Sequence, residues 1–139
     1  MKEGFHIIEH PADIGMEAFG HSLKDVFEYA ANGLISIIVE TSSVDAVEQR
    51  FVRLVSSDVE NLLIKWLSEV LYLYDGQNFL MSDVSIEQIS STELEAVVTG
   101  EPVNERKHEF KMDVKAVTYH QLKIVHEKEN WFARVFLDI

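Results

Sequence analysis

The hydrophobic period changes along this chain, and that change restricts the fold more than any other feature. Leu23, Val26, Phe27, Ala30, Leu34, Ile37 and Ile38 recur at the spacing of one helix face, behind an S-x-x-D start formed by Ser22 and Asp25. Leu62, Leu63, Trp66, Leu67, Val70, Leu71 and Tyr74 repeat that spacing after the capping-box pair Ser57 and Glu60, and Gly76 supplies a stop. The pattern predicts helices over 22–39 and 58–75. Elsewhere the alternation has a period of two, which predicts strands over 4–9, 16–20, 46–56, 83–89, 94–100, 110–118, 121–126 and 131–137. Helices come early and most strands come late. Such segregation predicts an α+β domain, with two helices packed on an antiparallel or mixed β-sheet, over a repeating βαβ unit.

The length of 139 residues suits one domain over 1–139, and with two prolines and six glycines the chain has no linker-like stretch or repeat. Twelve Lys and Arg against twenty-four Asp and Glu leave a net charge of −12, which repels phosphate backbones. Direct nucleic-acid binding is therefore not expected, whereas cations and basic protein surfaces suit the charge. Zero cysteines exclude a disulfide framework, a thiolate zinc site and a cysteine nucleophile. Any metal must be held by oxygen or imidazole. The first residues lack a signal-like apolar stretch, and no run of ~18 apolar residues occurs, so the expectation is a cytoplasmic chain without a membrane span. Dinucleotide-fold glycines, a phosphate loop, a nucleophile elbow and an H-E-x-x-H helix are all missing, which weakens enzymatic readings.

Six histidines are scattered without a pair on one helix face. His10, before a proline-held turn, and His120, after the strand-like Val117-Thr118-Tyr119, stand at strand ends where sites are built. Asp13 follows Pro11-Ala12 in a turn between two short strands, a place where an aspartate often bonds its own backbone. Asp138 is penultimate, beside the α-carboxylate of Ile139, and two such negative groups at the end of a strand inside the fold call for a counter-cation. Calcium or magnesium, both bound by oxygen, would answer that need, and a solvated tail is the competing reading. Asp113, Lys115 and Val117 fall on one face of the expected 110–118 strand, where Lys115 would form a surface ion pair. The Trp66–Tyr74 run reads as core.

Six stretches together resemble the archease family: His10-Pro11-Ala12-Asp13, Gly20-His21-Ser22-Leu23, Trp66 to Tyr74, Glu101 to His108, Lys115-Ala116-Val117-Thr118-Tyr119-His120 and Asp138-Ile139. They follow the family order and cover nearly the whole chain. The resemblance implies a non-enzymatic activator of an RtcB-type RNA ligase in tRNA splicing and RNA repair. Such a helper promotes guanylylation of the ligase histidine and multiple turnover, and carries its own divalent-cation site. Carried over, Asp13 and Asp138 become cation ligands through their carboxylates and Ile139 through a main-chain or terminal oxygen, with calcium favoured. Lys115 becomes a candidate for function at the same surface. Pro11 stands where Thr is frequent in the family, and Asn104 where an acidic residue is common, which puts a role for the 101–108 loop in doubt. A general chaperone and a metal-dependent hydrolase using Asp13 and Asp138 remain as alternatives.

Overall fold

The computed structural model describes residues 3–9 and 13–139. The chain runs β1 (Gly4–Glu9), β2 (Asp13–Gly20), α1 (Leu23–Ile38), β3 (Glu48–Val55), α2 (Val59–Asp75), β4 (Phe79–Ile89), β5 (Glu93–Pro102), β6 (Ala116–Glu127) and β7 (Asn130–Asp138), with one 3₁₀ turn at Thr41–Ser43. The α+β class is as expected. The strands form two antiparallel sheets, one ordered β1-β2-β7-β6 and the other β3-β5-β4.

Both helices touch both sheets. That explains why α1 buries so much of its circumference, from Val26 and Phe27 through Ala30, Ala31, Leu34 and Ile35 to Ile37 and Ile38. Its centre approaches β1 and β2 closely at Gly33, where a Cβ would lie 3.0 Å from Met16 Sδ. Alternate residues Ile14, Met16 and Ala18 of β2, and Ala133, Val135 and Leu137 of β7, line the buried face of the four-stranded sheet. Trp66 joins the two helices, because its fully buried indole N–H donates to Phe27 C=O at 3.0 Å. Glu28 of α1 accepts the Ile86 N–H of β4 at 2.8 Å. Among the described residues no helix is long and apolar enough to cross a membrane.

Two local expectations change. Ser22 caps α1 as expected, accepting the Asp25 N–H, but α2 is capped by Asp58 rather than Ser57, with Asp58 accepting the Asn61 N–H at 2.8 Å. An ionised carboxylate is the stronger acceptor for the positive end of the helix. The 110–118 strand also does not form as read. Phe110 makes a single bridge to Val39, residues 111–115 are irregular, and β6 begins only at Ala116. The backbone is engaged elsewhere: Glu109 C=O accepts Glu40 N–H, and Lys111 N–H donates to Ile38 C=O, so this segment closes the end of α1. The shared strand face of Asp113, Lys115 and Val117 is lost with it. Gly76 ends α2 as expected, in a right-handed conformation with the Tyr72 ring where a Cβ would be, and the left-handed residue that follows is Asn78 at φ 60°.

Candidate functional site

Asp13 is the first residue of β2 rather than a turn residue, and in the β2–β7 register it lies directly opposite Asp138. Directly opposed residues of an antiparallel pair project to the same face, with Cβ atoms ~4.5–5.5 Å apart. Residues from opposite ends of the sequence thus set two carboxylates side by side, Asp13 half-buried and Asp138 exposed. Like charges so placed repel. Ile139 follows at once, its side chain partly buried against the core. On the other side of β7, Ala116 is the register partner of Asp138, and Lys115 N–H donates to Asp138 C=O at 2.8 Å. Lys115 is exposed, and no ion pair holds its ammonium among the described residues. The surface ion pair expected from the strand reading is therefore absent there.

The next row on the same face is Gly15, Phe136 and Thr118. Phe136 is buried although it faces away from the helices. Its ring lies across Gly15, where a Cβ would come within 2.8 Å of Phe136 Cε1, and His120 meets it edge-on with centroids 5.8 Å apart. His120 reaches this place because β6 is irregular: the pairs Thr118↔Phe136 and Lys123↔Arg134 leave residues 119–122 opposite Val135 alone, with Gln121 at φ 51°. Thr118 braces the bulge, donating its hydroxyl to Phe136 C=O at 2.9 Å and accepting the His120 N–H at 3.3 Å. His120 therefore stands one row, or ~7 Å along the strand, from the carboxylate pair. His10, with Pro11 and Ala12, lies outside the described residues. Among the described residues no three His, Asp or Glu side chains are grouped to hold a metal ion.

A second polar cluster escaped the sequence reading. Glu101, 8% exposed, is the penultimate residue of β5 and accepts from His108 Nε2 at 2.9 Å, from Asp45 N–H at 2.7 Å and from Lys107 Nζ at 2.8 Å. His108 Nδ1 accepts the Asn104 N–H at 2.9 Å, which places the ring proton on Nε2. The hydrogen bond from His108, then those from Lys107 and Asp45, hold Glu101 down at about 2. Lys107 is raised, chiefly by its bond to Asp45. Asn104 also accepts the Arg106 N–H on Oδ1 at 3.0 Å, and its C=O takes the Lys107 and His108 N–H groups, so at this position the side chain and backbone build the turn. Every member of the cluster is occupied by another, which makes it a clasp for the 101–108 loop. The only signal in the sequence was the appearance of Glu101 to His108 among the family-like stretches.

The model of the Archease protein family matches residues 5–139. An archease of Methanosarcina acetivorans is 38% identical over 139 residues, covering 97% of this chain and 95% of its own length. An archease of Saccharolobus islandicus is 44% identical over 135 residues, covering 96% of each. The solution structure of Methanobacterium thermoautotrophicum protein 1598 superposes with a TM-score of 0.80 at 36% identity, over 98% of this chain and 99% of that one. The crystal structure of a Thermotoga maritima archease, described as a possible chaperone, shares the fold with a TM-score of 0.69 at 23% identity, over 100% and 98%.

Proposed function

The chain belongs to the archease family, and from that premise we propose that it is a divalent-cation-binding activator of an RtcB-type RNA ligase. The observation that carries the cation half of this reading is the register pair Asp13↔Asp138. Two carboxylates on one face repel each other unless a cation lies between them, and hard oxygen donors suit calcium or magnesium. Calcium is favoured, since it accepts irregular shells of 6–8 oxygens at ~2.3–2.6 Å while magnesium demands a near-ideal octahedron. Asp13 and Asp138 would hold it through their side chains and Ile139 through a main-chain oxygen. Two side chains leave part of such a shell to water or to the partner. The exposed Lys115, with His120 one row away, then forms the surface that the ligase meets.

Activation without catalysis requires that this surface bind one ligase state more tightly than another, here the state competent for guanylylation. The test is reconstitution with purified ligase, GTP, calcium or magnesium, and RNA with joinable ends. Added protein should raise both the guanylylated fraction of ligase and the number of turnovers, and Asp13→Ala, Asp138→Ala and Lys115→Ala should each lower the effect. An unchanged guanylylation rate would sink the reading. A hydrolase would instead turn over RNA or nucleotide in the lane without ligase. A chaperone would suppress aggregation of unrelated proteins without GTP.

A further inference from the structure

β3 lies at the edge of the three-stranded sheet, and its pairing with β5 runs without interruption from Glu48↔Gly100 to Val55↔Glu93. The other free edge of that sheet, β4, is broken by two register shifts, and the β6 edge by the bulge at residues 119–122. Within Glu48–Val55 there is no proline and no register shift, while just ahead of it Val47 N–H turns inward to donate to Gly100 C=O at 2.9 Å. The direction of its free backbone groups follows from one bond. Ser56 N–H donates to Thr92 C=O at 2.8 Å, which extends the register by one pair. Bonded positions alternate in an antiparallel ladder, so Glu48, Arg50, Val52 and Leu54 bond to β5 while Gln49, Phe51, Arg53 and Val55 point their N–H and C=O groups outward. Lys65 Nζ takes the Val55 C=O at 2.7 Å, as that parity requires.

The same odd-numbered residues carry the exposed face. Val52 is 4% exposed, whereas Phe51 is 64%, Val55 54% and Val47 66% exposed. Around Phe51 the arrangement is symmetric: Gln49 and Arg53 stand two residues to either side, and Val47 and Val55 four.

We propose that β3 pairs antiparallel with β3 of a second copy about a two-fold axis at Phe51. Phe51 N–H and C=O then exchange bonds with Phe51 of the second copy, and Gln49 exchanges bonds with its Arg53. Phe51 packs on Phe51, and the Arg53 guanidinium meets an amide oxygen of Gln49. A slip of two residues in one direction sets Phe51 against Arg53 and Val55 against Gln49; in the other, Phe51 against Gln49 and Val47 against Arg53. Of these three registers only the one centred on Phe51 matches apolar with apolar, and it is isologous and closed. Charge favours this edge as well. The chain carries −12, but β3 holds Arg50 and Arg53 against Glu48, 2 − 1 = +1, so it is a place where two acidic molecules can approach.

Because the chain has no cysteine, single-cysteine variants report only on contact between like positions. Phe51→Cys should cross-link to its counterpart under mild oxidation, since the axis sets the two Cα atoms ~5.5 Å apart. Gln49→Cys and Arg53→Cys should not, because each faces its own counterpart from four residues away, roughly 14 Å, beyond the ~7 Å reach of a disulfide. Sedimentation of the unmodified chain should show a concentration-dependent dimer that strengthens with salt as the net repulsion is screened. Phe51→Lys, on an exposed position, should weaken association at least tenfold while circular dichroism and melting stay unchanged. A monomer up to roughly 1 mM at every salt concentration, a dimer that survives Phe51→Lys, or preferential cross-linking of Gln49→Cys or Arg53→Cys would overturn the proposal.

Discussion

Asp13 and Asp138 face each other across β2 and β7 with no third acidic or imidazole group joining them among the described residues. Without a bound cation their repulsion opposes folding, so removing one charge has opposite effects in two conditions. Asp13→Asn should raise stability in chelator by a few tenths to ~1 kcal/mol, the range for opposed like charges. The same change should abolish most of the extra stability gained on adding calcium, because a ligand has been lost. Thermal unfolding of both proteins with chelator and with calcium reads the two signs, and equal calcium stabilisation would remove the pair from the site. Asp138→Asn should behave alike. Gly15 makes a different point at the same scale: Gly15→Ala sets a methyl within 2.8 Å of Phe136 Cε1. It should displace that ring and the His120 ring resting against it, visible as shifts of the His120 resonances.

At the scale of elements, local chemistry decides where helices begin and tertiary bonds decide where strands do. Asp58→Ala should cost ~1 kcal/mol, the usual worth of an N-cap. Ser57→Ala should cost far less, because Ser57 Oγ only accepts from the exposed Asn61 side chain, at 3.3 Å. Chemical denaturation of the two variants checks the ranking. The 101–108 loop is governed by its clasp, and its pH response has a definite sign. Glu101 sits at about 2 in the fold against an ordinary 4.5, so it stabilises as the carboxylate; its contribution is complete above about 4.5 and is lost as pH falls through about 2. Glu101→Gln should remove that part of the acid slope and loosen the loop. Urea unfolding of both proteins between those limits tests this, with a parallel slope in the variant counting against the clasp. Lys107 and His108 would each be left with a poorer partner.

Across the whole molecule, two sheets share one helix pair, and Trp66 is the buried tie between the helices. Trp66→Phe removes its bond and leaves Phe27 C=O without that donor, so it should cost ~1–3 kcal/mol and lower the melting temperature. An unchanged melting point would show that packing alone joins α1 to α2. Much of this architecture was legible in the order of residues. The helices expected over 22–39 and 58–75 form at Leu23–Ile38 and Val59–Asp75, because their apolar faces and caps depend on neighbours three or four positions away. The antiparallel α+β class follows likewise from strands gathered late in the chain. What the order could not contain is which strand edge meets which. Residues 110–115 alternate like a strand but are claimed by the end of α1, and the bulge that lifts His120 onto Phe136 exists only relative to β7. Asp13 and Asp138 were visible singly, and the resemblance joined them as ligands. Their juxtaposition belongs to the β2–β7 register alone, because pairing between distant strands is set by packing the buried faces of Ile14, Met16, Val135 and Leu137, and a slip of one residue by either strand would turn its own carboxylate toward the core.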